Sequence, residues 1–187
     1  MPYIFALDME GNILNHKDLF KEIKVKNKTL LLREGETAKK IFFVKKGCLR
    51  QWQNHNGKEI TFQFFFERQM VASIESLRTG QPSVMNIEAL EDSILFVLSK
   101  KNYEILLHKV PEIKDFLMEL AFKRFAHYVK LYLSFLKNNP VERYKELLKN
   151  EPRIIQRIPQ HYIASYLGIT PVSLSRIRNK ISRQVKV

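Results

Sequence analysis

The stretch "HYIASYLGITPVSLSRIRNKI", residues 161 to 181, gathers side chains that can bond an anion: His161, Thr170, Ser173, Ser175, Arg176, Asn179 and Lys180, with Arg183 just beyond. Hydroxyl, amide and cationic groups at this density suit phosphate oxygens and base edges, and one guanidinium can bond O6 and N7 of a guanine together. They do not suit bond breaking. No nucleophile elbow, P-loop or paired carboxylates accompany them. A cupin-type metal site needs a His-x-His pair, a Glu shortly after and a further His. Here "NHNGKE" offers only His55 and Glu59, with Gly57 where the second His would stand, and His16, His108, His127 and His161 have no ligand spacing. These residues imply no catalytic group, no metal site and no cofactor, and they argue against an enzyme.

Such groups need a frame that turns them outward. Apolar Ile163, small Ala164 and apolar Leu167 space a first helix, Gly168 supplies a turn tolerant of left-handed backbone, and Ile169 plugs it. Thr170 is a good N-cap and Pro171 suits the first helical position of a second helix. On a wheel of ~100° per residue, Leu174, Ile177 and Ile181 face inward while Val172, Ser175, Arg176, Asn179 and Arg183 face out. The expected element is a helix-turn-helix whose second helix enters the major groove of DNA. Arg176 is the expected base reader, and Val172 the contact for a thymine methyl. Ser173 and His161 are expected at phosphates, and Arg178, Lys180, Arg183 and Lys186 add charge beside the backbone. Thr170 and Ser175 complete the expected DNA-facing set.

Charge distribution agrees. Of the formal +13, residues 137–187 carry +8, with eleven Lys or Arg against Glu142, Glu146 and Glu151. Beyond Glu151 there is no acidic residue, yet nine ordered apolar positions from Ile154 to Ile181 mark a folded module and not a solvated tail. A basic surface of this kind implies a polyanionic partner.

Ahead of this module the texture is different. From about residue 18 to 100, short apolar runs such as "KKIFFVKKG", "EITFQFFFE" and "SILFVLS" alternate with breakers, and Asn56-Gly57 predicts a tight hairpin turn. Ile60, Phe62 and Phe64 are expected on one side of a strand, Thr61 and Gln63 on the other. After Pro111 the period becomes 3.6: Ile113, Phe116, Leu117, Leu120, Tyr128, Leu131, Tyr132, Phe135 and Leu136 predict one helix of about 25 residues. Phe122, Phe125, Val129 and Leu133 decorate a second side of it. A helix with two apolar faces must bury both, so the second is expected against the same helix of another subunit.

At 187 residues, with 45% apolar residues, the chain has room for a medium domain and a small second one. The lone Cys48 excludes an internal disulfide and any iron–sulfur site built on several thiolates. "MPYIFALDMEGNIL" lacks the basic region of a secretory signal, and the apolar stretch 113–136 is too interrupted by charge to span a bilayer. A cytoplasmic protein is expected, with no membrane partner.

Over nearly its whole length the chain resembles the Crp/Fnr transcription regulators, on "LLREGE", "IFFVKKGCLRQW", "NGKEITFQF", "IEALEDSILFVLS" and "VERYKELLKNEPRIIQRIPQHYIASYLGITPVSLSRIRNKI". It is most similar to the divergent branch common in Bacteroidetes-type genomes. The resemblance implies an α+β fold: a cyclic-nucleotide-binding-type β-roll over residues 1–110, a dimerisation helix over 111–137 and a helix-turn-helix domain over 138–187. With six residues beyond Ile181, no full wing is expected. It also implies double-stranded DNA and a second copy of the chain as partners, and RNA polymerase as a third. Members that bind cyclic nucleotide carry Gly-Glu and Arg-Ser/Thr where this chain has Ala72, Ser73 and Ser83, Val84, so the contacts to ribose and phosphate are missing. Arg78 lies nearby as a substitute cation. These five residues are the candidate effector pocket, for an effector the sequence does not identify. The competing reading is a ligand-sensing or protein-interaction β-roll module without specific DNA binding.

Overall fold

Short apolar or alternating runs punctuated by turn residues become eight strands among the described residues. In the computed structural model, which describes residues 14–184, a 3-10 helix (Leu14–Leu19) leads into β1 (Phe20–Val25), β2 (Leu30–Leu32), β3 (Lys40–Lys46) and β4 (Leu49–His55). There follow β5 (Lys58–Phe65), β6 (Met70–Val71), helix α1 (Ile74–Thr79), β7 (Asn86–Ala89), β8 (Ser93–Ser99) and α2 (Lys100–Lys109). The remainder is helical: α3 (Ile113–Lys137), α4 (Pro140–Asn150), α5 (Pro152–Arg157), α6 (Gln160–Tyr166) and α7 (Pro171–Gln184). The reading of the N-terminal stretch rests on residues 1–13, which like Lys186 lie outside the described residues.

The strands form two four-stranded sheets, β1-β8-β3-β6 and β2-β7-β4-β5. Phe65, Leu49, Ile87, Leu95 and Leu98 fill the core with almost no exposure. Ile41 through Val44 on β3 are all buried, because Leu19, Leu106, Ile113 and Leu120 join the same core cluster from the helices. Asn56 (φ 51°) and Gly57 (φ 78°) close the β4–β5 hairpin in the left-handed backbone that a two-residue turn demands. Cys48 lies buried immediately before β4.

Inside the second sheet, Arg50 and Glu88 face each other in register and are both buried. The Nε and Nη2 groups of Arg50 donate to one Glu88 carboxylate oxygen at 2.8 and 2.6 Å. The guanidinium also lies over the Trp52 ring, 4.8 Å from its centroid.

By compactness the chain divides into residues 14–53 with 63–123, and residues 54–62 with 124–184. On β5 the expected alternation is present, with Ile60 and Thr61 on opposite faces. Ile60 is 45% exposed and Thr61 only 2%, so the buried side at this end of the strand is the one that carries Thr61 and, further along, Phe65. At this end of the strand the free edge is held by α6: the Ser165 hydroxyl accepts from the Thr61 N–H at 2.9 Å and donates to the Glu59 carbonyl at 2.5 Å. A hydroxyl can do both at once.

Helix α3 departs from its expected pattern. Its inner stripe holds through Ile113, Phe116, Leu117 and Leu120, but Tyr128, Tyr132, Phe135 and Leu136, expected on that stripe, are exposed. The second side is exposed too, with Phe122 at 63% and Phe125 at 67%.

Removing one partner of a buried ion pair strands the other charge in low dielectric, so Glu88→Ala should destabilise the sheets by about 3–5 kcal/mol. A lowered urea midpoint of the full-length protein is the measurement, and joint replacement of Arg50 and Glu88 by Met should recover most of the loss.

Candidate nucleic-acid interface

Helix α6 stops because Gly168 takes φ +66°. Its N–H bonds the Ser165 carbonyl and the Ile169 N–H bonds the Ala164 carbonyl, both at 3.0 Å. This is a Schellman closure, which satisfies the last carbonyls of a helix and reverses the chain within three residues. Thr170 then caps α7, its hydroxyl accepting from the Ser173 N–H at 3.1 Å, with Pro171 in the first turn where no donor is needed.

The burial pattern splits α7 into two faces. Leu174 and Ile177 are buried, as are Ile163, Ala164 and Leu167 on the α6 side of the turn, and Ile181 is half-buried. Val172, Ser175, Arg176, Asn179, Lys180 and Arg183 are exposed, as are His161 and Thr170. Ser173 is half-buried and its hydroxyl is hydrogen-bonded to that of Thr170 at 2.9 Å. Arg178 is half-buried. Tyr166 of α6 is buried, and burial first, then the Glu151 carboxylate, push the pKa of its hydroxyl well up.

A residue that the sequence reading missed positions this pair. Arg143 on α4 donates through Nη1 to the Asn138 carbonyl at 2.8 Å and through Nη2 to the Leu167 carbonyl at 3.1 Å, while its guanidinium lies 4.6 Å from the Phe135 ring centroid. One side chain thus joins the end of α3, the start of α4 and the end of α6. Glu146 adds bonds to Ser134 (2.5 Å) and Asn138 (2.7 Å). At the head of α4, Asn139 accepts from the Val141 and Glu142 N–H groups, and Glu142 accepts from the Asn139 N–H, a capping box. The Asn-Pro-x-Glu string was the available signal for that box; nothing in the sequence marks Arg143 apart from other arginines.

The five candidate effector residues are divided. Ala72, Ser73 and Ser83 are buried, whereas Arg78 and Val84 are exposed. The Ser73 and Ser83 hydroxyls bond each other at 3.0 Å, Ser83 also donates to the Met85 carbonyl at 2.8 Å, and Gln51 donates to the Ala72 carbonyl at 3.1 Å. Neutral groups satisfy one another here. Among the described residues no cluster of metal-ligating side chains occurs, and no helix is long and apolar enough to cross a membrane.

Gly168→Ala would force a Cβ into left-handed backbone and bring it within 3.1 Å of Phe135 Cε1. A loss of about 1–2 kcal/mol is expected for the helical unit, seen as an earlier loss of helical circular dichroism on heating.

Residues 22–109 match the cyclic nucleotide-binding domain model. Among curated proteins, none matches the sequence. Solved structures of similar fold include a CooA mutant from Carboxydothermus hydrogenoformans (TM-score 0.75, 17% identity, 96% of this chain and 85% of that one). FixK2 from Bradyrhizobium japonicum aligns at TM-score 0.76 and 18% identity over 88% of this chain and 85% of its own. The c-di-GMP-responsive global regulator CLP of Xanthomonas campestris aligns at TM-score 0.77 and 15% identity, over 94% and 92%. A cyclic nucleotide-binding-type roll followed by a long helix and a helical C-terminal unit is the fold of the Crp/Fnr regulators, and this chain has it.

Proposed function

We propose that the chain is a sequence-specific DNA-binding transcription regulator of the Crp/Fnr type, working in the cytoplasm as a homodimer. The observation that carries it is the two-faced α7: Leu174 and Ile177 anchor the helix while Val172, Ser175, Arg176, Asn179, Lys180 and Arg183 stand clear on the outer side. In this reading α6 and α7 are a helix-turn-helix, Arg176 reads a base, and His161, Thr170 and Ser173 lie along phosphates. The likeness to the global regulator CLP supports it.

The dimer rests on α3. Met118, Phe122, Phe125, Val129, Tyr132 and Leu136 are exposed and recur in steps of four and three. That 3.5-residue period is the seam of a two-stranded coiled coil, and its natural partner is the same seam on a second copy. Residues 1–110, 111–137 and 138–187 then act as roll, dimer helix and reading module, placing two reading helices on half-sites about one turn (~34 Å) apart. RNA polymerase is the further partner of such a regulator. A small-molecule effector acting on the roll would work by favouring one of two dimer states. It would not be a cyclic nucleotide held in the usual way, because the Ser73 and Ser83 hydroxyls bond each other where charged contacts are needed.

Purified protein should enrich genomic fragments sharing a near-palindrome, with affinity falling steeply as salt rises. Arg176→Ala should cost about 1–3 kcal/mol of discrimination between the enriched site and random duplex, measured by competition binding. Unchanged preference removes Arg176 as the reader, and absence of duplex binding favours a ligand-sensing or protein-interaction module. Phe125→Glu places a charge in the seam; sedimentation should then report a monomer at concentrations where the wild type is dimeric.

A further inference from the structure

A groove of about 650 Å³ runs alongside α7. One wall is the stretch from Ser173 to Lys180, and the other is the first two turns of α4. Lys145 on α4 thereby shares the furrow with Arg176 and Lys180, which stand four residues apart on α7, about 6 Å along its axis. Glu142 is the only carboxylate on the lining, and its Oε2 already accepts the Asn139 N–H at 2.8 Å in the capping box. Among the described residues, no ion pair joins Lys145, Arg176 or Lys180 to a carboxylate. Three uncompensated cations thus converge on a channel that borders the outward face of α7.

A polyanion is the ligand such a channel favours, because bringing phosphates against fixed cations releases their condensed counterions. We propose that the groove seats the phosphate backbone of the duplex and that Lys145 is a DNA contact supplied by α4. This rests on the reading of α7 as the DNA-facing helix and adds to it an element outside the α6–α7 pair. Lys145 suits the task as a compact charge on a flexible stem, which binds a phosphate without demanding one geometry. Its position relative to α7 is set by Arg143, which ties α4 to the carbonyl that ends α6.

Lys145→Gln in the full-length protein should reduce the slope of log affinity against log salt by about one, and lower affinity about five- to tenfold near ~0.1 M salt. The loss should be equal for the enriched site and for a random-sequence duplex, because a phosphate contact carries no sequence information. Lys149→Gln is the control: Lys149 is exposed on the same helix but does not line the groove, and its loss should leave the slope unchanged. Wild-type affinity and slope for Lys145→Gln overturn the proposal. So does an equal fall in both variants, which would mean diffuse attraction and not a seat. If the wild type binds no duplex, the DNA-binding reading itself fails and this proposal with it, an outcome distinct from a wild type that binds and a Lys145 variant that matches it.

Discussion

The guanidinium of Arg143 is the junction of the helical unit: it holds the Asn138 carbonyl, the Leu167 carbonyl and the face of Phe135 together. Asn138 and Phe135 belong to the end of α3 and Leu167 to the end of α6, and each has a reason to come close. Asn138 follows the last turn of α3, Leu167 ends α6, and Phe135 lies where a side chain on Gly168 would otherwise project. A planar group with several fixed donors can satisfy two carbonyls and still stack on a ring, which a lysine could not do. The orientation of α7 is therefore set from behind, by contacts that leave its outer face free of structural duty.

The roll uses its polar groups differently. Arg50 and Glu88 are buried as a pair within one sheet, and Ser73, Ser83 and Gln51 bond each other or the backbone. Buried polar groups that satisfy one another rigidify a core. The strands around these groups match the cyclic nucleotide-binding domain over residues 22–109.

Much of the fold was legible because local signals and packing agree. Asn56-Gly57 demanded one turn type, the 3.6-residue period after Pro111 demanded one long helix, and Gly168, Thr170 and Pro171 fixed a stop and a start. What was not legible came from long-range partners. The hold on the edge of β5 comes from Ser165, more than a hundred residues away in sequence. The exposure of Tyr132 and Leu136 on α3 is a fact that periodicity alone cannot carry. Likewise the outward set on α7 could be read from a helical wheel, but Arg143 and Lys145 gain their meaning only from what α4 is packed beside.

Strand β5 is the outermost member of its sheet, and at residues 59–61 one hydroxyl group stands in for the missing neighbouring strand. An open margin of this sort recruits foreign chains when it is uncovered. Loosening of the C-terminal helices would strip that cover and leave bare N–H and C=O groups next to the protruding Ile60. The cover of this margin thus depends on α6, a helix of seven residues. Threonine could take over at position 165, whereas cysteine, alanine or valine would forfeit the shield.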